Sequence, residues 1–324
     1  MKKALFGLAI ALASSVVVAK ECAKIPDNVA KLVPSSTRGQ TVVGELATFD
    51  PCHYTVRLSK PLWAKKPPVV IMIHGGGGWG IFEENLASAL IRNDIAVISF
   101  DAYRMNRLTE DKAVFAYTVT NEARQRMIYK VALGAVNWAI SKKEEFSGIY
   151  IYGISNGGVV AINLAGAVSP NDVKAVFSEG SSSAGLGLPD KINVPLRLLV
   201  GELDNYGGHT ENDLVFTRQT KCFFNVEFIQ PPGNAKTCNA TTNQFAESKS
   251  VSVWKDEQQA QGADIEVWTY KDSAHGVWAM PLTKTTRQFG ELTLFAYTGG
   301  SNSDQQKMLK EIKSVINKEK SNGN

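Results

Sequence analysis

Short apolar-rich runs recur along the chain at Val69–Ile73, 95–100, 149–152, 173–177, 196–200 and Ile265–Tyr270. Runs this short, bounded by polar or turn residues, predict strands, and the near-continuous ones suit strands buried on both faces of a parallel sheet. Between them the period changes. Over 121–140, Met127, Ile128, Val131, Ala132, Ala135, Val136, Ala139 and Ile140 fall on one helical stripe, and 157–167 predicts a second helix stopped before Pro170. Upstream, 41–48 and 53–59 read as two strands split by a turn at Asp50 and Pro51. Near the end, Ser303 with Gln306 has the spacing of a capping box for a helix that would bury Met308, Leu309, Ile312, Val315 and Ile316. The alternation of strand and helix predicts an α/β fold, with a mostly parallel central sheet flanked by helices. The segment 205–250, rich in Asn, Thr, Gly and Pro, breaks the rhythm and reads as a disulfide-containing loop insertion. No repeat or linker divides the rest, so 20–324 is expected to form a single domain.

The amino terminus adds a location. Lys2 and Lys3 precede an apolar run of 15 residues from Ala4 to Val18, and Val17 and Ala19 place small residues before a cut at Lys20. This is the pattern of a secretory signal peptide over 1–19. The run is too short for a stable membrane anchor, which needs about 20 residues. All four cysteines, Cys22, Cys52, Cys222 and Cys238, follow the expected cut and would reach an oxidising compartment. Cys22 with Cys52 and Cys222 with Cys238 is the preferred pairing of three that spacing leaves open. No close Cys/His pair has the spacing of a metal site, so no metal is expected. With 35 basic against 31 acidic side chains, nothing points to a nucleic-acid partner, and 44% hydrophobic residues excludes a disordered chain.

The chemistry is concentrated at a few places. Gly153-Ile154-Ser155-Asn156-Gly157 is a G-x-S-x-G motif between a predicted strand and a predicted helix. A serine on so tight a turn needs glycine on both sides, and its hydroxyl needs a base. In an α/β-hydrolase the chain order is serine, acid, histidine. His275, in the loop after Ile265–Tyr270, fits the base. His209 lies close behind the acid and reads as a solvated loop residue or a pocket lining. Asp204, beyond the run at 196–200, fits the acid that orients the imidazole, with Glu202 as runner-up and Asp272 too near the histidine it would serve. His74 and Gly75 to Gly78 follow the buried run Val69–Ile73. A glycine loop there can offer an oxyanion a backbone N–H from Gly76 or Gly77, the second donor being Asn156. The loop lacks the G-K-[ST] ending of a phosphate-binding loop. His74 itself reads as structural.

The stretches VVIMIHGGGG, VISFDAYRMNR, IYIYGISNGG, LLVGELDN and DSAHGV together resemble the serine α/β-hydrolases, and more narrowly a secreted branch of the dienelactone hydrolase family. The resemblance spans about residues 68 to 276. It implies an eight-stranded core sheet, Ser155, Asp204 and His275 as the triad, and a structural or pocket-lining role for Asp101 and Arg104. The chain departs from that family in having Ser155 where its type members use cysteine, and in lacking a matching glutamate after His74. The expected activity is hydrolysis of a small-molecule carboxylic ester through an acyl-enzyme, in the periplasm or outside the cell, without metal or organic cofactor. Trp79, Tyr103, Tyr206 and Trp278 stand near motif ends as pocket candidates. A serine peptidase or amidase, or a non-catalytic binding protein on the same scaffold, are the alternatives.

Overall fold

The computed structural model describes residues 31–34, 40–43, 45–106, 121–181, 186–204, 209–210, 213–214, 251–289 and 292–322. The expected signal segment, most of the 205–250 insertion, Tyr206, Cys22, Cys222 and Cys238 lie outside them, and with them both expected disulfide pairings.

Strands β1 (Lys31–Pro34) and β2 (Gln40–Val43) form a separate antiparallel ladder. The central sheet comprises β3 (Arg57–Ser59), β4 (Val69–Ile73), β5 (Ala96–Ser99), β6 (Ile149–Ile154), β7 (Val173–Glu179), β8 (Leu196–Gly201) and β11 (Ile265–Tyr270). Its order is β11-β8-β7-β6-β4-β5-β3, parallel throughout except for β3, which pairs antiparallel to β5 at the edge. Between lie β9 (His209–Thr210) and β10 (Asp213–Leu214), a two-residue ladder. The helices are α1 (Ile81–Ile91), α2 (Ala102–Met105), α3 (Asn121–Ser141), α4 (Asn156–Ala167), α5 (Val251–Ala260) and α6 (Asn302–Asn322). A hairpin of β12 (Thr283–Phe289) and β13 (Leu292–Thr298) precedes α6.

Strand periodicity explains why both faces are covered. On β4, Val69, Ile71 and Ile73 join one core with Met127 and Val131 of α3 and Val160 and Leu164 of α4. Val70 and Met72 join the other, with Leu86 and Leu90 of α1 and Met308 and Ile312 of α6. Each such side chain contributes about 2 kcal/mol on burial, so an α/β sandwich is the arrangement that satisfies a two-faced apolar strand.

The chain runs from β4 to β5 on one side, then returns to place β6 on the other side of β4. A crevice opens at such a reversal, beyond the carboxyl ends of the two strands. There β4 delivers His74 and the glycines, while β6 delivers Ser155.

Several expectations are corrected. The resemblance implied eight core strands, but seven form the central sheet among the described residues, because the predicted strand at 41–48 pairs as β2 with β1 instead. The strand expected over 53–59 is only Arg57–Ser59, since His53 and Val56 close turns onto Asp50 and His53. The last helix is capped two residues earlier than expected: Ser301, not Ser303, accepts the Asp304 N–H at 3.2 Å. The Asp304 carboxylate is thereby free to hold the backbone of Asp272 and the hydroxyl of Ser273, each at 2.8 Å. Helices α1 and α5 and the β12–β13 hairpin had no counterpart in the sequence reading.

Candidate active site

Ser155 is the single residue between β6 and α4, and its backbone lies at φ 56°, ψ −119°. Positive φ in a residue with a Cβ costs about 1–3 kcal/mol and persists only where the surroundings enforce it. The enforcement is visible on both sides. A Cβ on Gly153 would stand 2.1 Å from the carbonyl oxygen of Gly157, and one on Gly157 would stand 2.4 Å from that of Ile73. The two glycines let the turn close on itself and press against the end of β4. The Ser155 N–H donates to the Glu179 carbonyl at 2.8 Å, pinning the turn to β7. A tight strand–serine–helix turn of this kind is what a nucleophile elbow requires.

The acid and the histidine meet because their strands are neighbours. Tyr270 of β11 pairs with Gly201 of β8. Beyond the strand ends the two loops stay joined, Glu202 N–H to the Tyr270 carbonyl and Leu203 N–H to that of Ser273. The turn after Gly201 directs Asp204 inward, 1% exposed, and leaves Glu202 exposed. Asp204 Oδ2 lies 2.8 Å from His275 Nδ1. Asp272 is exposed. His275 is buried, and burial opposes its protonation, but Asp204, followed by Glu179 and Glu83, outweighs burial and lifts its pKa above 6.5. If His275 acts as a base it must be neutral to do so, and activity should then rise as pH climbs through that raised value. The acid limb of kcat/KM is therefore predicted above pH 6.5; a limb at or below the ordinary histidine value would rule out His275 as the titrating base.

The glycine loop is held from one side chain. Glu83, in the first turn of α1, accepts the N–H of Gly75 at 3.1 Å and that of Gly80 at 3.0 Å. Burial raises its pKa despite those bonds. Glu83 thus braces the loop through two of its backbone N–H groups. Since the Gly75 N–H is taken, the choice between Gly76 and Gly77 turns on proximity. A Cβ on Gly76 would stand 2.7 Å from Asn156 Nδ2, whereas Gly77 is exposed with nothing within 4 Å. Gly76 is the one that faces Asn156. The Asn156 side chain is itself fixed by Gln125 Nε2 at 2.8 Å. Glu83→Ala, which leaves the buried Gly75 N–H and the part-buried Gly80 N–H without this acceptor, is predicted to destabilise the fold by about 1–3 kcal/mol and to lower kcat more than it changes KM. Denaturant unfolding and steady-state kinetics check this; wild-type values in both would show that the brace is dispensable.

His74 is structural, as expected. It is fully buried, its Nε2 accepts the Ala102 N–H at 2.9 Å, and its Nδ1 lies 2.8 Å from the Gly75 carbonyl. Asp101 caps α2 by accepting the N–H groups of Tyr103 and Arg104, and Arg104 lies 3.6 Å from it. Tyr103 is buried against His74, while Trp79 and Trp278 are half-buried. His209 falls in β9, and its side chain lies outside the description. Sequence reasoning missed Glu83, Gln125, Arg124 and Glu179. Arg124 is buried in α3 beside Gly76, and Glu179 ends β7. The one available signal was that Glu179 ends an apolar strand at the crevice.

Comparison with known proteins matches no family model and no curated protein. Among solved structures the chain is similar to a dienelactone hydrolase from Anabaena variabilis, with 16% identity over 78% of this chain and 89% of that one and a TM-score of 0.42. It is also similar to Est1E from Butyrivibrio proteoclasticus, with 15% identity over 76% of this chain and 90% of that one and a TM-score of 0.38. The esterase Pf2001 of Pyrococcus furiosus gives 15% identity, 76% and 85% coverage and a TM-score of 0.40.

Proposed function

We propose that this chain is a serine hydrolase that cleaves carboxylic esters through an acyl-enzyme. The observation that carries the reading is a strained serine elbow set at the same crevice as a buried histidine bonded to a buried aspartate at 2.8 Å. If the His275 Nδ1–H donates to Asp204, Nε2 is left to take the Ser155 proton. Ser155 Oγ then attacks the ester carbonyl, and the oxyanion is met by the N–H groups of Asn156 and Gly76. The His275 imidazolium, stabilised by Asp204, returns the proton to the departing alcohol. Water, deprotonated by the same Nε2, attacks the acyl-enzyme and releases the acid and Ser155. None of these steps calls on a metal or an organic cofactor. The signal-like segment 1–19 supports export to the periplasm or beyond, and the dienelactone hydrolase-like motifs support the ester class.

The test is to follow p-nitrophenyl esters from acetate to dodecanoate beside matching p-nitroanilides, with mass-spectrometric mapping of a fluorophosphonate probe. Ester turnover with the probe on Ser155 is the expected result, and the chain-length profile then sizes the acyl pocket. Anilide turnover without ester turnover would move the chain to the amidases. An unlabelled Ser155 in folded protein would sink the nucleophile assignment.

A further inference from the structure

Glu179 is fully engaged yet takes no part in the steps above. Its backbone carbonyl accepts the Ser155 N–H at 2.8 Å. Its side chain spans to the other half of the site, Oε1 accepting the N–H of Val277, two residues after His275, and Oε2 accepting the Tyr152 hydroxyl. The next residue, Gly180, has φ +52°, and a Cβ there would stand 2.8 Å from His275 Nδ1 and 3.1 Å from Asp204 Oδ2. Residues 179 and 180 therefore pass between the serine elbow and the acid–histidine pair, touching both.

We infer that Glu179 is a positioning residue: its carboxylate fixes the His275 loop against the serine elbow and joins Asp204 in stabilising the imidazolium. This rests on the hydrolase reading above. The geometry favours it over a purely structural role because one residue holds the backbone N–H of the proposed nucleophile and the loop of the proposed base. The charged and titratable groups around Glu179 are Tyr152 on β6, Tyr270 on β11, Glu83 on α1, Asp204 and His275. Burial pushes its carboxyl up to about 7, with the Val277 N–H and His275 pulling the other way and Asp204 and Glu83 adding to the rise. Where it is ionised, its charge favours the protonated imidazole of His275.

The test compares wild type, Glu179→Gln and Glu179→Asp by the pH dependence of fluorophosphonate labelling at Ser155, together with kcat and KM on the best ester. Glutamine keeps an oxygen for Val277 but carries no charge. It should slow labelling about tenfold and move the acid limb down by about one pH unit, with kcat falling and KM holding within about twofold. Aspartate keeps the charge but is too short to hold Val277 and Tyr152 together, so it should lose kcat while the limb stays closer to wild type. Tyr152→Phe removes only the hydroxyl donor and should give a smaller downward move of the limb, which keeps the inference testable if either Glu179 variant fails to fold. Wild-type rates and limbs in every folded variant, with wild type labelled normally, overturn the inference alone. A wild-type protein that the probe does not label overturns the hydrolase reading and this inference with it.

Discussion

Replacing Ser155 with alanine is expected to lower kcat for ester hydrolysis on the order of 10⁶-fold and to abolish fluorophosphonate labelling. The size follows from how the groups act. His275 and Asp204 have no function without a hydroxyl to activate, so removing the nucleophile removes the triad's whole contribution and leaves what binding and oxyanion stabilisation provide, about 10³–10⁴ over water. The structure adds a second readout at the same position. Because Ser155 holds φ 56°, a glycine there should relieve the strain, and Ser155→Gly is expected to be more stable than Ser155→Ala by about 1 kcal/mol. Steady-state kinetics and denaturant unfolding of the two variants check both halves. Retention of more than a hundredth of the wild-type ester rate by the alanine variant would mean that another group is the nucleophile.

How far this site could be read from sequence depends on what each residue leaves behind. Ser155 was legible because its turn demands glycine on both sides, and the atoms that exclude a Cβ are backbone carbonyls. His275 was legible by chain order and by its place after an apolar strand. Asp204 was preferred to Glu202 from its distance past the strand, and the structure adds the turn after Gly201 that buries the first and exposes the second. Glu83 and Glu179 carried no spacing at all. Each is one acid in an apolar setting, and its function appears only when a loop distant in sequence comes back to it, 98 positions away for Val277. The missed elements have similar causes. Helix α1 buries Glu83 among Leu86, Ala87, Ala89 and Leu90, which blurs its apolar face. Strand β12 reads TKTTRQF and has no apolar run to signal it. Strands β4 to β8 were legible because they are buried on both faces, where composition alone is enough.

Among the glycines of the site the expected cost of a methyl group ranges from negligible to near loss of folding, and the contrast tests the architecture directly. At Gly157 the added Cβ would lie 2.4 Å from the Ile73 carbonyl oxygen and 2.5 Å from that of His74. The first belongs to the last residue of β4, which pairs with Gly153 of β6, and the second to the residue after it, whose imidazole accepts the Ala102 N–H. Neither oxygen can withdraw without breaking the ladder or moving α4 off the sheet. Gly157→Ala is therefore predicted to destabilise the protein by about 3–5 kcal/mol, at the upper end of overpacking effects. That is a large share of the 5–15 kcal/mol that holds a typical domain together. At Gly77, two residues along the loop from Gly75, nothing lies within 4 Å, and alanine should change stability by no more than about 0.5 kcal/mol. If Gly76 is the oxyanion donor, Gly77→Ala should also keep most of the activity, whereas Gly76→Ala must displace the Asn156 amide, 2.7 Å from the new methyl. Urea unfolding of the three variants with parallel ester assays separates these effects. A Gly157→Ala protein as stable as wild type would show that α4 does not rest on the end of β4, and the elbow geometry on which the serine assignment depends would fall with it.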